Sequence, residues 1–231
     1  MRKRTADIVI SMVIIAVGLW MVTALAPGAF RLLVGSHLED VPASSVRDDL
    51  ALLVVRAEHR APHYERSRFG KAWADEDRNG CDTRNDVLGR DLRRVTYRSG
   101  FPPDCVVASG VLNDPYTGLT IDFVRGPRTS EAVQIDHVVA LFDAWKSGAY
   151  AWDDAKRQQF ANDPANLLAV DGQANHDKGH GRADEWLPKN PDYHCAYVAR
   201  QVRVKAAWSL TVTETERQAM IDVLADCPAM E

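Results

Sequence analysis

A charge-free run at residues 8–26, preceded by Arg2, Lys3 and Arg4, decides the compartment in which everything after it must fold. At 1.5 Å rise per residue, a helix of that length crosses a hydrocarbon core of about 30 Å. The positive charges stand before it and only Arg31 follows closely, which sets the amino terminus inside and the rest of the chain outside. A cleavable secretory signal is the rival reading. Ala24-Leu25-Ala26 offers the small-x-small cleavage pattern, but Pro27 suits signal peptidase poorly and the apolar run exceeds the usual ~7 to 15 residue signal core. Residues 1–35 therefore read as a membrane anchor or signal segment. Residues 36–231 form one exported domain, held at the outer face of the cell membrane or secreted.

Export makes the four cysteines a disulfide framework. Cys195 opens one predicted helix and Cys227 ends the next, with a short connection near 209–212, and in an antiparallel helical hairpin those two ends meet. That selects Cys195 with Cys227 and leaves Cys81 with Cys105. Each bridge closes a loop of a few tens of residues, for which the chain-entropy model gives about 3 to 4 kcal/mol. Four thiols around a metal are the rival, but the chain has no Cys-x-x-Cys pair. At 46% hydrophobic and 26% charged, the chain is neither collagenous nor disordered. A net charge of −4 gives no bulk attraction to a polyanion, so any nucleic-acid recognition must be local.

Periodicity indicates a mixed α+β domain. Ser45 and Asp48 stand at capping-box spacing before Val46, Leu50, Leu53, Val54 and Ala57, which predicts a helix to about Arg60. Residues 105–112 and 119–124 read as two strands of a β-hairpin joined by Asn113-Asp114-Pro115-Tyr116-Thr117-Gly118. Residues 134–141 and 166–170 are short apolar runs, the second closed by Asp171-Gly172, and residues 145–160 between them look helical with an interruption at Gly148. The carboxy-terminal fifth is a helical hairpin, its second helix opened by Thr213 with Glu216 and stopped by Pro228.

The polar residues set into those apolar runs carry the chemistry. Asp136-His137, Asn166, Asn175 and Lys178 include a carboxylate and carboxamides, hard oxygen donors of the kind a divalent ion needs for phosphodiester cleavage. An imidazole is the neutral base that can activate a water without heavy tuning, which points to His137. Adjacent residues on a regular strand face opposite ways, so Asp136 and His137 can share a site only if the chain bends there. Asn166, with donor and acceptor on one short side chain, could pin that backbone.

The runs Asp136-His137-Val138-Val139-Ala140-Leu141, Asn166-Leu167-Leu168-Ala169-Val170 and Asn175-x-x-Lys178-Gly179 together resemble the ββα-metal motif of HNH endonucleases. More narrowly, the stretch from Gly80-Cys81-Asp82-Thr83-Arg84-Asn85 through the 113–118 loop to Trp186-Leu187-Pro188 is similar to exported bacterial HNH-family proteins whose domain is related to the carboxy-terminal domain of GmrSD-type restriction enzymes. The resemblance implies a ββα-metal core embedded among helices and braced by the two disulfides. It also implies an HNH-type endonuclease cutting DNA, with RNA a second substrate class, and a 5′-phosphate product. His137 would be the general base, Asp136 and Asn175 the metal ligands, and Asn166 the residue orienting the His-bearing loop. Two departures stand out: the interval from His137 to Asn166 is long, which reads as a helical insertion around 152–160, and Asn175 replaces a frequent histidine. The second favours Mg²⁺ or Mn²⁺ over Zn²⁺, since carboxylate and amide oxygens are hard ligands.

Lys178 and Arg84 are read as phosphate contacts, with a solvated lysine and an arginine paired to Asp86 or Asp91 as the plainer readings. His176 and His180 fall at the spacing of a zinc pair, but Gly179 weakens the helix between them and no glutamate completes a hydrolase signature. A monomer is expected. The contrasting reading is a membrane-tethered nucleic-acid-binding or DNA-uptake accessory domain without turnover, which the acidic net charge favours.

Overall fold

Hydrophobic strands of opposite burial order this molecule into two small sheets with helices around them. In the computed structural model, residues 36–57, 61–100 and 105–230 are described; the anchor or signal segment expected at 1–35 lies outside the described residues. Among the described residues no helix is long and apolar enough to cross a membrane. β1 (Arg93–Tyr97), β2 (Val107–Asn113) and β3 (Thr120–Val124) form an antiparallel sheet in that order. The β2–β3 hairpin is the one expected, and its loop is held by Asp114, whose carboxylate accepts from the Thr117 amide at 2.8 Å and hydroxyl at 2.6 Å.

β4 (Val133–His137) and β5 (Leu167–Asp171) form a second, two-stranded antiparallel sheet, with Asp136 opposite Leu168 and His137 opposite Leu167. α5 (Gly172–Lys178) follows directly. At that junction a Cβ on Gly172 would lie 1.9 Å from the Glu131 carbonyl oxygen, so only glycine lets β5 turn into α5 here. Between β4 and β5 the chain makes α3 (Leu141–Lys146) and α4 (Asp154–Ala161), broken at Gly148 (φ 125°) as expected. α1 (Ser45–Leu52), α2 (Thr83–Asp91), α6 (His194–Ala207) and α7 (Glu214–Ala225) complete the α+β fold.

The period-2 rule divides the β4–β5 sheet between two cores. Val133, Ile135, Leu167 and Ala169 meet α2 and the three-stranded sheet, while Leu168 and Val170 meet α1, α6 and α7. Each such fully buried aliphatic contributes roughly 1.5–3 kcal/mol. Cys195–Cys227 joins the start of α6 to the end of α7, and Cys81–Cys105 ties the approach to α2 to the approach to β2.

One helix differs from its expected bounds. α1 starts after Ser44, whose hydroxyl accepts from the Arg47 amide, and ends at Leu52 rather than near Arg60; residues 58–60 lie outside the described residues. Beyond Leu52 the chain extends, because Val55 pairs with Val212 in an isolated bridge and β-branched residues suit that conformation better.

Candidate functional site

The bend after β4 is fixed by one side chain. Asn166 is fully buried, accepts from the Val139 amide at 2.8 Å and donates to the Val139 carbonyl at 3.0 Å, while its own carbonyl accepts from Val138 N at 2.8 Å. A carboxamide matches a backbone amide group in both directions, which is why this residue type holds a non-ladder bend. His137 is the last strand residue before it.

His137 shares a strand face with Val133 and Ile135, and its Nε2 lies 2.8 Å from the Ala161 carbonyl at the end of α4. A carbonyl can only accept, so the neutral ring carries its proton on Nε2 and keeps the Nδ1 lone pair for another proton. Burial pushes the imidazole down to about 4, with the Ala161 carbonyl pulling upward and the positive charges of Arg66 and Lys178 adding to the fall. The ring is therefore neutral at ordinary pH. It lines a cavity of about 260 Å³ whose other walls include Arg66, Phe69, Trp73, Leu141 and Ala161.

The insertion between the strands builds this cavity. Arg157 of α4 donates from Nε to the Arg68 carbonyl at 2.9 Å, and Asn162 accepts from the Ala74 amide at 2.9 Å, so α4 holds residues 66–74 in place. Trp73, at a φ of 57° that bulky residues rarely adopt, lies near-parallel to the imidazole (17°, centroids 6.2 Å apart). Arg66, Trp73 and Asn162 were not singled out from sequence. Their spacing carries no motif, and only the folding of residues 66–74 onto α4 brings them to His137.

Asp136 faces the other way. β4 stays regular through His137 and bends only afterwards, so the bend needed to bring both residues to one site is absent and strand alternation separates them. The Asp136 carboxylate is buried at 4% exposure, with the Lys178 ammonium 2.9 Å from Oδ1 and the Tyr116 hydroxyl donating to Oδ2 at 2.5 Å. Burial raises this carboxyl above its ordinary value, against the pull of Lys178 and Tyr116. Lys178, expected at a phosphate, is equally buried and also donates to the His137 carbonyl at 2.8 Å. Tyr116 reaches in from the β2–β3 loop, a role that its place in the turn did not reveal.

The remaining candidates are similarly engaged. Asn175 donates to Gln134 Oε1 at 2.9 Å. Arg84 donates to the Val133 carbonyl at 3.4 Å, tying α2 to β4, and burial lowers its pKa with Arg125 adding to the fall. α5 ends at Lys178 with Gly179 at φ 55°, so His176 and His180 share no helix and the zinc-pair spacing is not realised. As placed, these donors do not fit a divalent cation. Both oxygens of Asp136 are engaged, Asn175 is tied through its amide nitrogen to Gln134, His137 is on the opposite face, and among the described residues no three His, Cys, Asp or Glu gather as a ligand set.

No solved structure matches this chain. An "Uncharacterized secreted protein" of the fungus Arthroderma benhamiae is 35% identical over 187 residues, covering 80% of this chain and 86% of that protein, so the likeness is not confined to bacteria. The family model described as "GmrSD restriction endonucleases, C-terminal domain" matches residues 82–223, a span that takes in α2, both sheets, His137, Asn166 and nearly all of α7. The chain belongs to that family.

Proposed function

We propose that residues 36–231 form an exported nuclease domain that hydrolyses phosphodiester bonds of DNA, and of RNA as a second class, with His137 as general base. The observation that carries this reading is the imidazole itself. It is oriented through Nε2 by the Ala161 carbonyl, neutral, seated on the Asn166-pinned end of β4, and faces a cavity that also holds Arg66. A phosphodiester in that cavity meets the Arg66 guanidinium, which offsets its charge. His137 Nδ1 takes a proton from water, and the water oxygen attacks phosphorus as the bond from phosphorus to the 3′ oxygen breaks. The departing 3′ oxygen takes a proton from solvent and the 5′ side keeps the phosphate, while the Ala161 carbonyl stabilises the imidazolium until it returns its proton to solvent. Asn166 keeps the ring-bearing backbone fixed through this proton transfer, and Asp136 with Lys178 anchors β4 from behind. No step is assigned to a metal, because the donors do not fit one as placed.

Membership of a restriction-endonuclease domain family supports the reaction class. The two disulfides and the secreted relative support export. A second reading, nucleic-acid binding without turnover, is favoured by the Asp136–Lys178 pair occupying the carboxylate expected at the metal. Incubation of the protein with supercoiled plasmid in Mg²⁺, in Mn²⁺ and in chelator separates the two. Nicking in any of the three supports the nuclease; retardation of the plasmid with no strand break in all three overturns it and favours the binding domain.

A further inference from the structure

Trp73 is held in a backbone conformation that its bulk disfavours. A φ of 57° places it in the left-handed region. Such a residue costs about 1–3 kcal/mol and persists only where its surroundings dictate it. Here they do so from both sides. Asn162, directly after α4, accepts from the Ala74 amide at 2.9 Å and donates to the Lys71 carbonyl at 3.4 Å. Gln158 of α4 accepts from the Lys71 amide at 3.3 Å, and the Thr83 hydroxyl of α2 donates to the Ala74 carbonyl. What these flanking bonds fix is the position of one indole ring.

That ring stands in the wall of the 260 Å³ cavity, near-parallel to the imidazole of His137. Phe69 and Leu141 in the same wall are buried, whereas Trp73 is half-buried and keeps ring surface open to the cavity. The space is thus apolar and ringed on one side, while Arg66 and His137 supply a cation and a base. Among the described residues that line it there is no Asn, Gln, Asp or Glu to read the edge of a base. Its volume falls a little short of the roughly 300–1,000 Å³ of pockets that enclose drug-sized ligands. One nucleobase with its phosphate suits such a space; a base pair tied to two backbones does not.

An aromatic face beside a cation binds an unpaired base of any identity, because every base has a π-face to stack while its phosphate meets the charge. In a duplex those faces are covered, and freeing one costs the energy of unstacking. We propose that the cavity takes one unpaired nucleotide, its base stacked on Trp73 and its phosphate held beside Arg66 and His137, so that Trp73 makes the protein select unpaired nucleic acid without regard to base identity. That this nucleotide carries the scissile bond rests on the phosphodiesterase reading; its stacking on Trp73 is testable without turnover.

The test is fluorescence anisotropy of the full-length chain in chelator with three labelled probes of about a dozen nucleotides: oligothymidine, a strand of the same length made of abasic sugar-phosphate units, and a blunt duplex. Oligothymidine is expected to bind about tenfold tighter than either of the others. Trp73→Leu, which keeps an apolar side chain but no ring, is expected to reduce that preference to about twofold or less. Its affinity for the abasic strand, its salt slope and its unfolding midpoint are expected to stay close to those of the parent, since no phosphate contact is lost. Trp73→Phe, which restores a ring, is expected to recover most of the preference. Abasic or duplex probes bound as tightly as oligothymidine, or a full preference in folded Trp73→Leu, overturns the assignment. A Trp73-dependent preference in a protein that cuts no nucleic acid supports the base site while removing the nuclease reading, and cutting without that preference does the reverse.

Discussion

Asn166 and Lys178 show how far single residues could be read in advance. Asn166 drew attention as a side chain able to pin a bent backbone, and the structure gives it both hydrogen bonds to Val139. Asn166→Ala leaves that buried N–H and C=O unmatched, and urea denaturation is expected to show a loss of about 2–4 kcal/mol; Asn166→Asp, which keeps the acceptor, loses less. Lys178 was legible only as a charge near the site. Whether it faces solvent or the interior depends on where the Asp136 face of β4 packs, and that is set by Tyr116 arriving from a loop twenty residues upstream. Lys178→Met leaves an unpaired buried carboxylate and is expected to cost about 3–5 kcal/mol, part of which the Asp136→Asn/Lys178→Met double variant restores. Full stability in Lys178→Met alone would contradict the pairing.

At the scale of elements, alternating or 3.6-period hydrophobicity made the β2–β3 hairpin, α6 and α7 readable, while β4 and β5 showed only as short apolar runs whose strand role came from the family resemblance. β1 was not, because Arg93-Arg94-Val95-Thr96-Tyr97 is largely exposed on both faces and pairs with β2 through an irregular register. Helix packing supplies a further test. Lys205 on α6 lies 2.8 Å from Asp143 on α3 and 2.5 Å from Glu216 on α7, all three buried. Burial pushes the Glu216 carboxyl from 4.5 up to about 7, with Lys205 opposing and Asp143 adding. The folded state then holds a proton that the unfolded state has already released, so this group's contribution is complete below about 4.5 and is lost as pH rises towards 7. The urea midpoint is expected to fall across that interval, and Glu216→Gln is expected to flatten the dependence. A slope unchanged in Glu216→Gln would contradict it.

For the whole molecule, the compartment inferred from residues 8–26 and the pairing inferred from a helical hairpin agree with the two disulfides present. Replacing Cys195 and Cys227 together by alanine is expected to cost about 3–4 kcal/mol, read from the shift in the denaturation midpoint. What sequence could not supply was the division of labour across the β4–β5 sheet. Asp136 and His137 are neighbours in the chain, yet alternation sends one to an internal ion pair and the other to a cavity built by the insertion between the strands. The most direct test of the role assigned to that cavity is plasmid cleavage by His137→Ala beside the parent protein, with unfolding temperatures measured on both. The result expected is a rate at least about a hundredfold lower in a variant that still folds; undiminished cleavage by the folded variant would contradict it.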